Sequence, residues 1–263
     1  MDKLIFTAAN AKTKKLYKVK ALKPYLQNNR KVYNFSLPAG YTCPGALDCL
    51  SKAVKQNDGT YKIVDGEKSV FRCFAASDEV RYKDCREGRW HNFDILSDLV
   101  RNNASVEHIA LVINDSLPED SGIVRIHVSG DFFNLRYLLA WFYLARHMRP
   151  NMLFYAYTKS LVTLFQALTE TPKPTNLALT LSAGGRYDTM IPDIGIRQAV
   201  VVYSEEEAQQ LGLEIDDDDS HAADPTKNKD FALLIHGTQP KGSVAGKAVY
   251  AINKAKRELK ILA

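Results

Sequence analysis

Ile123-Val124-Arg125-Ile126-His127-Val128 runs into Ser129-Gly130-Asp131, then into a stretch from Asn134 to Arg149 and a second apolar run, Met152 to Tyr157. Within the stretch, Leu135, Leu138, Leu139, Phe142, Ala145 and Met148 recur at three- and four-residue steps, the stripe of a helix packed on a sheet. Asn134 stands where an N-cap belongs and Pro150 where a helix stops. Strand, turn, capped helix and strand make a βα unit, so neighbouring strands are expected to run parallel.

The same alternation extends in both directions. Val32 to Leu37 precedes the unit, and Leu177 to Leu181, Ala199 to Tyr203 and Phe231 to Ile235 follow it, giving six candidate strands. Leu161 to Leu168 repeats the helical stripe before Pro172 and Pro174. Glu205 to Leu211 has three glutamates in its first turn and Gly212 after it, as the helix dipole favours. Asn92 to Ile113 reads as mainly helical. The expected fold class is α/β, a complete or partial (βα) barrel of about six parallel strands, with a doubly wound open sheet as the alternative. Residues 1–263 read as one domain with a basic N-terminal arm (1–31), a cysteine-containing loop region (38–92) and an acidic loop (214–230).

With 263 residues, 46% apolar and 25% charged, the chain is neither disordered, collagen-like nor coiled coil. No window reaches the roughly 18 apolar residues of a membrane span, and the N-terminus lacks the apolar core of a secretion signal, so a cytoplasmic protein is expected. The net charge of +5 is unevenly spread: Lys3 to Lys31 is rich in cations, Lys247, Lys254, Lys256, Arg257 and Lys260 close the chain, and Glu205 to Asp219 carries eight carboxylates. Such segregation suits a polyanion partner, and nucleic acid, DNA or tRNA, is the expected one through the N-terminal arm.

Cys43, Cys49, Cys73 and Cys85 follow the first strand with the spacing C-x5-C-x23-C-x11-C. Four thiols are too few for a disulfide scaffold. Clustered in Gly- and Pro-containing loops, they suit a soft ion or an iron–sulfur cluster, with His91 as a substitute ligand for Cys85. Buried free thiols are the plain alternative. Four polar turns follow four of the apolar runs: Ser129-Gly130-Asp131, Tyr157-Thr158-Lys159, Ser182-Ala183-Gly184-Gly185-Arg186 and His236-Gly237-Thr238-Gln239. In a barrel they converge on one mouth. Asp131 and Lys159 are the candidate catalytic groups, one able to take a proton or attack a carbon, the other to meet a carboxylate or phosphate. Asp131 also reads as a helix-capping residue, and Lys159 as a solvated loop tip. Tyr157, His236 and Gln239 are candidate substrate contacts, joined by Arg89 and Asn92 in the basic stretch around Trp90. No GxGxxG or GxxxxGK[ST] follows any strand, so the usual dinucleotide and nucleoside-triphosphate cradles are absent.

The ordered series Phe35-Ser36-Leu37-Pro38-Ala39, Thr42-Cys43-Pro44-Gly45-Ala46, Cys49, Cys73-Phe74-Ala75, Arg89 with Asn92, His127 to Phe132 and Ala156 to Lys159 resembles the phage gene product 88 family. More loosely, the strand-end turns are similar to the radical-SAM (S-adenosylmethionine) core, a partial six-stranded barrel with three cysteines after its first strand. That resemblance implies a [4Fe–4S] cluster on Cys43, Cys49 and Cys73, S-adenosylmethionine held by Ser129, Gly130, Asp131, Ser182, Gly184 and Arg186, and modification of nucleic acid. The x23 gap before Cys73 and the aspartate at 131 in place of glutamate depart from that pattern, and Cys85 would be spare or would close the site. A competing likeness, to guanine transglycosylases, implies zinc and Asp131 as nucleophile. A third reading is a non-catalytic, zinc-stapled nucleic-acid-binding or host-takeover protein.

Overall fold

The computed structural model describes residues 2–262, with side chains through 258, so the side chain of Lys260 lies outside the described residues. In chain order its elements are β1 (Thr7–Ala8), β2 (Lys31–Asn34), a hairpin of β3 (Ser51–Lys55) and β4 (Tyr61–Asp65), then α1 (Phe74–Arg81), α2 (Lys83–Arg101) and α3 (Val106–Ser116). There follow β5 (Ser121–Ile126), α4 (Leu135–Tyr143), β6 (Leu153–Thr158), α5 (Leu161–Glu170), β7 (Leu177–Ser182), α6 (Ile191–Ile194) and β8 (Gln198–Val202). The chain continues through α7 (Glu205–Gln210), β9 (Glu214–Ile215), α8 (Ser220–Ala223), β10 (Phe231–Leu234) and α9 (Val244–Leu262). Each of the six expected strands is present, as β2, β5, β6, β7, β8 and β10.

The eight-stranded sheet has the order β1-β2-β5-β6-β7-β8-β10-β9, parallel except for β1. The six expected strands thus lie side by side in sequence order. No strand pairing between β1 and β9 closes the sheet among the described residues, so the fold is mixed α/β with an open, mostly parallel sheet. From β2 to β8 the strand order advances one way, so right-handed crossovers place the connecting helices on a single face, and the order reverses only at β9 and β10, whose connection carries α8. The packing agrees. Val124, Ile126, Phe154, Ala156, Leu177 and Leu179 point to a core shared with α3, α4 and α5, while their neighbours Ile123, Leu153, Tyr155 and Ala178 point to the other face.

That other face is covered by the ends of the chain's loops. The supposedly free basic arm folds down onto it as two 3-10 turns, Thr13–Lys18 and Lys20–Leu26, because Leu16 and Leu22 are completely buried there. The acidic loop also turns inward. Ala222 and Ala223 of α8 join the same core, and Asp219 is buried against Arg125, Tyr155 and Tyr157. The sequence marks this segment only as an acidic loop; in the structure its Asp219 pairs with Arg125 and Lys12 on this face of the sheet. Asn134 does cap α4, accepting from the Arg136 amide, and the helix runs on as a π-turn through Leu144–Met148. No helix among the described residues is long and apolar enough to cross a membrane.

A thiol-lined cavity at the strand ends as the candidate functional site

The C-terminal ends of β5, β6, β7 and β10 open into one cavity of about 720 Å3. Its wall includes Cys43, Cys49, Cys73, His127, Ser129, Gly130, Asp131, Tyr157, Lys159, Ser182 and His236. Strand ends are where an open α/β sheet leaves unpaired backbone and varied loops, so a ligand site belongs there. Two of the thiols, Cys43 and Cys49, arrive by a loop, Pro38 to Cys49, that leaves β2 and straps across the ends of β5, β6 and β7, and the third, Cys73, stands at the start of α1. Glycines allow the approach. A methyl group on Gly45 would stand 1.8 Å from the Lys159 carbonyl oxygen, and one on Gly130 (φ +85°) 2.6 Å from Leu37 Cβ and Thr42 Oγ1.

Gly184 (φ +87°) is crowded in the same way, by the Asp48 carboxylate. The Asp48 amide donates to the Gly184 carbonyl, and the Arg186 amide to that of Gly45. The polar turn after β7 was expected to receive a ligand; the cysteine loop occupies Gly184 instead, and the Arg186 side chain is exposed and away from the cavity. Ser182 alone of that turn reaches the wall.

The x23 gap between Cys49 and Cys73 is filled by the β3–β4 hairpin. A hairpin returns to its starting point, so the long gap brings its two ends together: the Asp48 carbonyl accepts from the amides of Val70 and Phe71. The Cys73 amide donates to Ser51 Oγ, which donates to Asp65, itself in a salt bridge with Arg72 at 2.5 Å. Cys73 sits at the first turn of α1. Proximity shows in the electrostatics. Burial is the main cause that pushes the Cys43 thiol well above its ordinary value, and the next causes are Asp131, Cys73 and Cys49. Cys73 is pushed up to about 12 by burial and then by Cys49. Cys49 is also raised by burial, but Lys159 opposes the shift.

Cys85 lies apart. It is on α2, where its charged neighbours are Arg89, Asp78, Glu79 and Arg86, and it does not line the cavity. His91, also on α2, has Nε2 at 2.9 Å from the Lys3 carbonyl. Arg89 and Asn92, expected to touch substrate, face inward. Arg89 donates to the Ala75 carbonyl and to Glu79, while Asn92 clamps the backbone of Ile5 and Ser36. Gln239 likewise ties its loop to the backbone of Arg72. Arginine and amide side chains bury readily once every donor has a backbone acceptor, and sequence does not distinguish that use from ligand binding.

Asp131 is 5% exposed, and its carboxylate is a brace. Oδ1 accepts from Thr158 Oγ1 and the Phe132 amide, and Oδ2 from the Lys159 amide, each at 2.7 Å. Burial raises its pKa, and these hydrogen bonds oppose the rise. A carboxylate has about four acceptor directions, so three are taken and one is left. Such a group orients and holds; it is poorly placed to leave its partners and attack a carbon. Lys159 is equally committed, donating to the carbonyl and hydroxyl of Ser182 and to the Ala183 carbonyl.

Two features were not legible in the sequence. Glu79, completely buried on α1, accepts from the Ala39 amide at the start of the cysteine loop, from Arg89 and from Ser129 Oγ, so one carboxylate ties the thiol loop to the Ser129-Gly130-Asp131 turn. His127 has φ +64°, Nε2 against Tyr137 at 2.9 Å, and a buried Nδ1 with no protein partner. Burial lowers its pKa to about 3, so it is neutral near pH 7.

Among the described residues no group of three His, Cys, Asp or Glu side chains could hold a single metal ion. The donor set and space are different in kind: three sulfurs with soft-donor chemistry spread over the wall of a roomy cavity whose lining also includes Asp131, Asp216 and Asp217. These residues fit a polynuclear cluster better than a lone ion. A family model described as gene product 88 matches residues 4–258. No curated protein and no solved structure matches the chain.

Proposed function

The chain belongs to the gene product 88 family, and from that premise we propose that it is a radical-SAM-like, iron–sulfur enzyme. The observation that carries the reading is the convergence of Cys43, Cys49 and Cys73, and not Cys85, on one cavity beside Asp131 at the ends of parallel strands. Three thiolates would hold a [4Fe–4S] cluster and leave one iron without a protein ligand. When bound, the cluster would supply an electron for cleavage of S-adenosylmethionine, the hard chemistry being the cofactors' own.

The chain's residues perform the rest. Lys159 favours the thiolate of Cys49, offsetting the cost of burying it. Ser129, Gly130 and Asp131 form the turn that faces the cavity, and the remaining acceptor direction of Asp131 suits an ammonium group. Lys159 and Thr158 keep that carboxylate oriented. The strapping loop keeps the thiols at the strand ends and narrows access for water.

Anaerobically isolated protein, reconstituted with iron and sulfide and given a strong reductant, is expected to cleave S-adenosylmethionine to 5′-deoxyadenosine and methionine. Asp131→Asn should lower the rate while iron content persists. A colourless preparation loaded with zinc, or an iron–sulfur protein that leaves S-adenosylmethionine intact, overturns the reading.

A further inference from the structure

The two basic segments of the chain, more than 200 residues apart in the sequence, meet at this cavity: Lys12 and Lys15 of one and Lys256 of the other line it. Neither segment dilutes its charge. Residues 3–47 contain no carboxylate, and neither do residues 231–257. On the first segment Lys14, Lys15, Lys18, Lys20 and Lys23 are exposed. On α9 Lys247, Lys254, Lys256 and Arg257 are exposed.

Both segments are built into the fold. The 3-10 turn Thr13–Lys18 is held by buried Leu16 and Thr13 and by Asn10, whose Oδ1 accepts from the amides of Lys12 and Thr13. Helix α9 is seated by Ala245, completely buried, and by Gly246, where a methyl group would stand 2.4 Å from the Pro240 carbonyl. Val249, Ile252, Asn253 and Lys256 then form one helical face turned to the cavity. The nearest carboxylates are largely committed. Asp219 is paired with Arg125 and Lys12, Asp216 is buried, and only Asp217 remains exposed at the rim, its carbonyl accepting from Lys15.

We propose that the turn Thr13–Lys18 and helix α9 are the two sides of a clamp that grips the phosphate backbone of a single-stranded nucleic acid across the cavity mouth. This deepens the reading of the cavity as a reaction site by naming its substrate class, and it rests on that reading only for what happens to the strand once bound. Cations on both sides of a mouth suit a linear polyanion, and the rings of Phe74, Tyr157 and His236 on the cavity wall suit a base turned inward. Val249 and Ile252 of α9 face the cavity while Val244 and Tyr250 are exposed, so a membrane surface is the competing occupant that the vesicle arm of the test measures.

The test uses the full chain and a fluorescein-labelled strand of about 20 nucleotides, longer than a typical single-strand site, as DNA and as RNA, read by anisotropy. Lys15→Glu with Lys256→Glu is expected to weaken binding about tenfold or more and to reduce the salt slope by about 1.4, the share of two phosphate contacts. The remote pair Lys55→Glu with Lys62→Glu should change affinity by less than about twofold. Equal losses from both pairs, no binding at about 50 mM salt, displacement by inorganic polyphosphate at equal phosphate concentration, or tighter binding to phosphatidylserine vesicles than to either strand would overturn the clamp. Iron content and thermal unfolding of the same variants separate the two readings. Wild-type protein that holds iron but binds neither strand refutes the clamp alone, wild-type protein that binds a strand without holding iron refutes the cluster alone, and a variant that loses binding while keeping iron and thermal stability supports the clamp.

Discussion

Replacing Asp219 by Asn tests whether the acidic loop belongs to the interior of the sheet. Asp219 is completely buried and accepts from Arg125 Nη1 at 2.6 Å, Tyr155 at 3.0 Å and Tyr157 at 3.2 Å, with Lys12 Nζ at 2.8 Å. Asparagine keeps the shape but turns an NH2 toward one of these donors and removes the negative charge. Lys12 is 32% exposed, so its pair is screened and contributes below about 1 kcal/mol. Arg125 matters more. Its side chain is 10% exposed and its Nε already lacks a protein partner, so an uncompensated guanidinium there costs about 3–5 kcal/mol. That is a large part of the roughly 5–15 kcal/mol a domain has.

Urea unfolding near pH 7, followed by circular dichroism, should show a loss of this size for Asp219→Asn. Arg125→Met in the same chain should return part of it, because the stranded charge is then gone. The pH dependence has a fixed sign. Burial pushes the Asp219 carboxyl up, Arg125 and Lys12 more than offset that, and its pKa lies below the ordinary 3.8. The stabilisation is therefore complete above the ordinary value and is lost as pH falls through the depressed one, so wild type and variant converge in acid. A loss under about 1 kcal/mol, or strictly additive single and double variants, would refute the buried network.

Three further outcomes follow from the site. Gly45→Ala forces its Cβ to 1.8 Å from the Lys159 carbonyl, so the thiol loop must lift; stability should fall by about 1–3 kcal/mol, and iron uptake should fall with it, as calorimetry and metal analysis would show. Glu79→Gln keeps an acceptor for the Ala39 amide but removes the charge facing buried Arg89, with an expected loss of about 2–3 kcal/mol by chemical unfolding. His127 has a pKa near 3 in the fold against 6.5 ordinarily, so the unfolded chain alone takes up its proton between those values. Stability should drop on acidification below about pH 6.5, and His127→Asn, which tolerates positive φ, should reduce that slope by up to about 1.4 kcal/mol per pH unit.

Local patterns reported the scaffold well and the site unevenly. The strands β5, β6 and β7 and the Asn134 cap were legible because periodicity and capping are local properties of the chain. The cysteines were legible as a group, but their partition was not. Cys73 joins Cys49 across 23 residues because a hairpin closes on itself, whereas Cys85, only 12 residues beyond Cys73, is carried off on α2. Glycines mislead for a related reason. Gly184 and Gly130 do admit a close neighbour, but the neighbour is the chain's own cysteine loop. Charge was the least legible property. Asp216 and Asp219 sit in a run whose acidic composition says nothing of burial, yet Arg125 in β5 and Lys12 pair with Asp219 and the core takes in Ala222 and Ala223. Whether the sheet closes depends on whether its edge strands β1 and β9, far apart in sequence, pair with each other, and not on any single βα unit.

The most direct measurement is the iron and acid-labile sulfide content of anaerobically prepared protein, compared across four single Cys→Ala variants. The account predicts about four irons and four sulfides per chain in wild type and in Cys85→Ala, and near-complete loss in Cys43→Ala, Cys49→Ala and Cys73→Ala. Equal content in all five proteins, or loss in Cys85→Ala matching that of the other three, would contradict it.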